Sequence, residues 1–228
     1  MKKKNYFLFI TCLQLIVNCV FAQNNFQHLL GGIDNDRAHT IFSTFDNGYI
    51  VNGASFSFGI GNVDATMIKT DNQGQVLWGK AYGTTDYDNS EFAIETFDHS
   101  IVCAGRSTLF SGLPTSAIIF KTDSAGNILW SKSYGGVSND NLVQIIETSD
   151  NGYAAIGSSN STTNGSSDIL LIRTDSNGDT LFTHSYGTIE YEDGLSVIQL
   201  PDNGFAICFS ITSLISNLTT ADCKTIVW

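Results

Sequence analysis

A period of 52 residues runs through this chain without a slip, and it limits the fold more than any other feature. Asp46-Asn47-Gly48 returns as Asp98-His99-Ser100, Asp150-Asn151-Gly152 and Asp202-Asn203-Gly204. KTDNQGQVLW, from Lys69, returns as KTDSAGNILW at Lys121 and RTDSNGDTLF at Arg173. Tyr82-Gly83 returns at Tyr134-Gly135 and Tyr186-Gly187. A fixed period of this size means repeat architecture, because one unit cannot bury its apolar face except against its neighbours.

Within one unit the patterning is that of strands. HTIFSTF, from His39, alternates in polarity and is rich in β-branched and aromatic residues, and DNG after it suits a hairpin turn. Asn-Gly suggests a type I′ turn with two positive φ values. YIVNGAS reads as the return strand, and the Gly- and Ser-rich SFGIGN leads to DATMIKT. Its copies SAIIFKT and DILLIRT are apolar on both faces, as expected of a strand sandwiched between layers. The second turn runs from Asp71 to Gly74, Asp123 to Gly126 and Asp175 to Gly178, and fits a type I turn closed by a glycine bulge. In the fourth strand, VLWGKAYG, the aromatic, Lys and Tyr positions share one face. Gly79, Ala81, Ser131 and Ser133 line the other, and predict close approach of a neighbouring layer.

Four antiparallel strands per unit predict an all-β, β-propeller-type repeat of four-stranded blades. Three units are complete, at about 39–83, 91–135 and 143–187, and a partial one covers 195–212. FQHLLGG, from Phe26, aligns with WGKAYGT one period later, so residues 24–31 read as a lone fourth strand. At the other end Phe209 replaces the expected glycine, and 213–228 reads as a divergent tail. Two architectures follow: a minimal four-bladed ring, with 222–228 as a degenerate third strand, or an open arc from a longer or truncated propeller protein.

Residues 1–22 carry three lysines, an apolar run from Tyr6 to Val20 and the small-residue site Val20-Phe21-Ala22, the pattern of a signal peptide cleaved after Ala22. A membrane anchor fits less well, because Thr11, Gln14 and Asn18 interrupt a short apolar run. Asn18 before Cys19 also fits a lipoprotein site poorly. Removing Lys2, Lys3 and Lys4 takes the 11 basic residues to 8 against 22 acidic ones, so net charge moves from −11 to −14. Such a surface repels polyanions and disfavours nucleic acid as a partner. No transmembrane segment is expected in the remainder. Cys103, Cys208 and Cys223, an odd number without paired spacing, read as buried hydrophobes rather than a disulfide framework or zinc site.

The pattern DNGYIVNG…IKTDNQGQVLWGKAYG resembles the secreted repeat proteins abundant in Bacteroidetes-type bacteria, with TDxxGNxLWxKxYGG and SDGGYxxxG signatures. The resemblance spans about 24–210 and implies propeller-like arrays, an exported location at the cell surface or in the medium, and no particular activity. Many such proteins carry a C-terminal sorting domain, and the residues after 210 do not match one.

The residues that draw attention for chemistry are the acids after the Tyr-Gly step, Asp36, Asp88, Asp140 and Glu192, preceded two residues earlier by Asp34, Asp86 and Glu190. A ring of carboxylates can bind a cation or a polyhydroxylated ligand. Recurrence in every unit instead points to capping of backbone N–H groups. Asp71, Gly74, Asp123, Gly126, Asp175 and Gly178 read as structural turn residues, since no bidentate Glu follows at EF-hand spacing. His28 and His184 share the strand position of Lys80 and Lys132. His39 and His99 are solitary, and no Ser/Cys–His–acid trio is spaced for nucleophilic catalysis. Glycosidase chemistry needs two converging carboxylates, for which the singular acids Glu91 and Asp193 come first. Trp78, Trp130, Phe182 and Phe26 form an aromatic column expected to pack between blades. The loops Phe56–Asn62, Thr108–Pro114 and Asn160–Ser166 differ between units and suit ligand contact. The expectation is a non-catalytic binding or structural module with no cofactor, no metal and a glycan or protein as partner. The alternatives are a glycoside-hydrolase-type carbohydrate-active enzyme or its recognition domain, and a fragment of a longer secreted propeller.

Overall fold

The structure, a computed structural model, describes residues 27–108, 113–161, 166–212 and 219–224, the last by its backbone alone. The described residues form 15 strands and no helix. The first sheet is β1 (Asp36–Ser43), β2 (Tyr49–Ser55), β3 (Asp64–Thr70) and β4 (Val76–Tyr82). The second is β5 (Asp88–Glu95), β6 (Ile101–Ser107), β7 (Ser116–Thr122) and β8 (Ile128–Tyr134). The third is β9 (Asp140–Glu147), β10 (Tyr153–Ser159), β11 (Asp168–Thr174) and β12 (Thr180–Tyr186). The fourth has three strands, β13 (Tyr191–Gln199), β14 (Phe205–Thr212) and β15 (Thr219–Lys224). Each sheet is antiparallel with neighbours in chain order, and each packs face to face on the next. This is the open, blade-like propeller arrangement that the repeat implies.

Both turns of a blade close in the same way. In the first, Thr44 N donates to Gly48 O (2.9 Å) and Asn47 N to Thr44 O (2.8 Å). Only Asn47 has a positive φ, 64°, as do His99, Asn151 and Asn203 in the other sheets. The expected type I′ turn is therefore replaced by a longer turn with one left-handed residue. In all four sheets the Asp carboxylate accepts from the N–H two residues on, at 3.1 Å from Gly48 N and 3.0 Å from Gly204 N, and Asp46 also accepts from Lys69 Nζ (2.5 Å) on β3. Lys121–Asp98 (2.7 Å) and Arg173–Asp150 (2.5 Å) repeat this clamp. The second turn matches expectation: Gly74, Gly126 and Gly178 have φ of 78°, 75° and 77°. Asp71 Oδ1 accepts from Gln73 N (2.8 Å) and Gln75 N (2.9 Å).

The core lies between sheets rather than within one. β11 is buried along its whole length and β7 nearly so, because each has a neighbouring sheet on both sides, whereas β3, with a neighbour on one side, leaves Thr66 and Ile68 half-buried on the other. Ile50 and Met67 of the first sheet meet Ile101, Cys103, Ile118 and Phe120 of the second. Val102, Ala104 and Ile119 meet Leu142, Ile145, Tyr153 and Ile172. Ile156 and Leu171 meet Val197, Phe205, Ile207 and Phe209. Full burial of each Val, Leu, Ile, Met or Phe side chain among these contributes about 1.5–3 kcal/mol. Cys103 is buried with them, and burial pushes its thiol up to about 12.

The aromatic column packs between blades in like surroundings. A Cβ on Gly126 would stand 3.0 Å from the Trp78 ring, and one on Gly178 2.8 Å from Trp130. Tyr82 Oη donates to Gly126 O (2.9 Å) and Tyr134 Oη to Gly178 O (2.8 Å), while Phe182 lies 6.4 Å from Phe205. Gly79, Ala81, Ser131 and Ser133 are exposed, contrary to expectation. The preceding blade touches this region through its aromatic residues at the second turn and does not cover the outer strand.

Every first strand carries a bulge, centred on His39, Glu91, Val143 and Leu195. In the first three sheets a glycine faces it: Ala38↔Gly53, Ser90↔Gly105 and Leu142↔Gly157. The fourth sheet reverses the pair to Gly194↔Phe209. A Cβ on Gly194 would stand 2.6 Å from Gly157 O and 2.6 Å from Ile156 Cγ1, so the glycine has moved to the strand that now approaches the third sheet.

The chain ends differ from the sequence reading. Of the expected strand 24–31, the described residues 27–31 belong to no sheet, since no third strand lies beside them. Within the tail 213–228, Thr219–Lys224 pairs with Ile207–Thr212 as the third strand of the fourth sheet, beginning three residues before the 222–228 that the four-bladed reading expected. The repeating units begin about three residues earlier than expected, at Asp36, Asp88 and Asp140, because the capping acids open the first strands. The expected signal peptide lies outside the described residues.

Candidate functional site

The recurring acids stand at one rim of the sheets, and each is engaged by the connection that leads into its own strand. Asp36 accepts from Gly32 N (2.6 Å), Asp88 from Thr84 N (2.6 Å), Asp140 from Gly136 N (2.8 Å) and Glu192 from Thr188 N (3.2 Å). Hydroxyls complete each cap: Ser55 and Ser57 on Asp36, Ser107 and Thr84 on Asp88, Ser161 on Asp140 and Thr188 on Glu192. The Ser55 hydroxyl and Gly32 N–H hold the Asp36 carboxyl at about 2. Asp88, Asp140 and Glu192 are buried, so these acids form caps rather than an open carboxylate ring.

The Tyr-Gly step is explained by the same rim. A Cβ on Gly83 would stand 2.5 Å from Asp64 Oδ1 and 2.7 Å from Asp88 Oδ2. Only glycine leaves room for two buried carboxylates there.

A contact that the sequence reading missed ties each blade to the next. Phe45 N donates to Glu95 Oε2 (2.8 Å), Phe97 N to Glu147 Oε2 (2.9 Å) and Ser149 N to Gln199 Oε1 (2.8 Å). The column Glu95, Glu147, Gln199 is visible in the sequence, but nothing local says that its partner lies in the preceding blade. Burial pushes the Glu147 carboxyl up.

The other candidates do not assemble. Glu91 accepts from Asn89 Nδ2 (2.7 Å) and lies 3.3 Å from His39 Nδ1. Asp193 stands on β13, with β9 between it and β5. His99 stacks edge-on against Phe45 at 4.8 Å, and His184 lies against Phe182 and Tyr186. Among the described residues no group of three or more His, Cys, Asp or Glu side chains could hold a metal ion, and no helix is long and apolar enough to cross a membrane. Of the variable loops, Phe56–Asn62 is fully described and exposes Phe56, Phe58 and Ile60. Residues 109–112 and 162–165 of the other two lie outside the described residues.

A cleft of 390 Å³ lies on the outer face of the first sheet, where Leu30, Val51, Gly53, Ile68, Gly79 and Ala81 contribute to its lining. It is the face that, in the second and third sheets, receives the preceding blade. Neither protein-family models nor curated proteins provide a match to this chain.

Proposed function

We propose that this protein is an exported, non-catalytic propeller-type module that binds or builds at the cell envelope or outside the cell. One observation carries the reading: the acids best placed for chemistry recur in every blade and are spent on backbone caps. A general acid or nucleophile needs an environment that differs from its copies. The lysine-rich leader ending at Ala22 supports export, and the acidic balance of the rest disfavours polyanionic partners. The likeness to secreted bacterial repeat proteins supports the same setting. The exposed Phe56 and Phe58 beside a Ser- and Gly-rich loop suit a glycan or protein ligand.

The test is a reducing-end assay of the purified protein on soluble and insoluble polysaccharides, run beside a glycan-binding array. The expected result is no hydrolysis above the buffer blank. Hydrolysis abolished by Glu91→Gln or Asp193→Asn would replace this reading with a carbohydrate-active enzyme.

A further inference from the structure

Every junction between sheets joins two unlike faces. The face toward the following sheet carries Phe42, Ile94, Ile146 or Ile198 in its first strand. The face toward the preceding sheet carries Ile41, Ala93, Ile145 or Val197. Where a junction exists, the second series is buried: Ala93, Ile145 and Val197 are 3 %, 0 % and 0 % exposed. Phe42, Ile94 and Ile146 are half-buried. The members left without a junction are Ile41, 67 % exposed, and Ile198, 55 % exposed. Among the described residues the chain therefore presents one open face of each kind.

The blade-to-blade hydrogen bond is omitted at both open faces, in matching fashion. The donor position of Phe45, Phe97 and Ser149 is Pro201 in the fourth sheet, which has no N–H. The acceptor position of Glu95, Glu147 and Gln199 is Ser43 in the first, too short to reach a neighbouring blade. Joining these two faces leaves neither a donor without an acceptor nor a buried carboxylate without a donor, either of which would cost about 1–3 kcal/mol. Val51 and Ile68 of the cleft stand at the repeat positions of Cys103 and Phe120, which the first sheet buries in the second.

We propose that the first sheet of one molecule receives the fourth sheet of a second copy, head to tail. The junction brings together the same two kinds of face as the internal ones through the first three strands of each sheet, and because its two faces differ it is heterologous and propagates beyond a dimer. This deepens the structural side of the function proposed above and rests on it.

Sedimentation velocity over a concentration series tests it. The wild-type protein should show concentration-dependent dimers and larger species. Ile41→Arg and Ile198→Arg should each weaken self-association at least about tenfold, with unchanged melting temperature because both side chains face water in the free molecule. Mixing the two variants restores one complementary pair, so the mixture should form a heterodimer and nothing larger. A wild-type monomer at every concentration overturns the proposal, including one whose own ends have closed on each other. So does a mixture that stays monomeric, or a variant that assembles undiminished. A monomer without hydrolytic activity would sink the assembly alone, whereas hydrolysis would sink the non-catalytic reading.

Discussion

Replacing Gly105 with alanine puts a methyl group where the backbone of the β5 bulge already stands. Its Cβ would lie 2.9 Å from the Asn89 carbonyl carbon and 3.0 Å from Ser90 Cα, and would overlap the Asn89 carbonyl oxygen. Unstrained carbon contacts are about 3.5–4.0 Å, so the two strands must part by roughly 0.5–1 Å to relieve the carbon contacts, and by more to clear the Asn89 oxygen. Overpacking a core costs about 1–3 kcal/mol. Here backbone must move rather than a side-chain tip, which places the cost near the upper end. The lower entropy of the unfolded alanine chain offsets about 0.4–1 kcal/mol of it. A net loss of about 2–3 kcal/mol should lower the melting temperature by roughly 4–12 °C in a domain of this size. Gly79→Ala is the internal control, because its Cβ would meet only Ile68 Cγ1, at 3.9 Å, and it should stay within about 0.5 kcal/mol of wild type. Urea unfolding followed by tryptophan fluorescence and circular dichroism, compared at constant slope, reads both. Equal stabilities of the two variants would refute the reasoning, since they differ only in what the new methyl meets.

Two further outcomes follow from the electrostatics and the inter-blade bond. Glu147→Ala should cost about 1 kcal/mol by removing the acceptor for Phe97 N–H, while Glu147→Gln should be near neutral in the same unfolding assay, because Gln199 already serves Ser149 N–H in that role. Asp46 is held at about 2 by the Lys69 ammonium and the Thr44 hydroxyl, and Asp36 at about 2 by the Ser55 hydroxyl and Gly32 N–H. Burial pushes the Asp98 carboxyl up, but Lys121 and Thr96 outweigh it and hold it well below the ordinary range. Stability from these depressed groups is complete above the unfolded carboxylate value near 4 and drains away as pH falls to about 2. Melting temperatures should therefore fall steeply between about pH 4 and 2, and Asp46→Asn should remove part of that slope. A flat profile there contradicts the assignment.

Much of the architecture was legible because its signals are local. Alternation along HTIFSTF, two-sided apolarity in DILLIRT and glycine at positions 74, 126 and 178 each report a strand or turn from its own residues. Capping by Asp36, Asp88, Asp140 and Glu192 was legible for the same reason, as acceptor and donor lie four residues apart. The first turn departs from the type I′ expectation because the Asp46, Asp98, Asp150 and Asp202 carboxylates each accept from the N–H two residues on, in a turn with one left-handed residue that the Asn-Gly pair alone does not specify. The exposure of Gly79 and Ser131 was illegible, since composition allows close approach without saying how far a neighbour extends.

The amino-acid sequence alone determined the repeating unit, its strand count, and which residues recur as scaffold, because a period in sequence is a period in structure whenever units bury one another. Only the tertiary structure decided which face each residue meets. Ile41 and Ala93 occupy the same position of the repeat, yet one is open to water and the other sealed. Burial belongs to the neighbour and not to the residue.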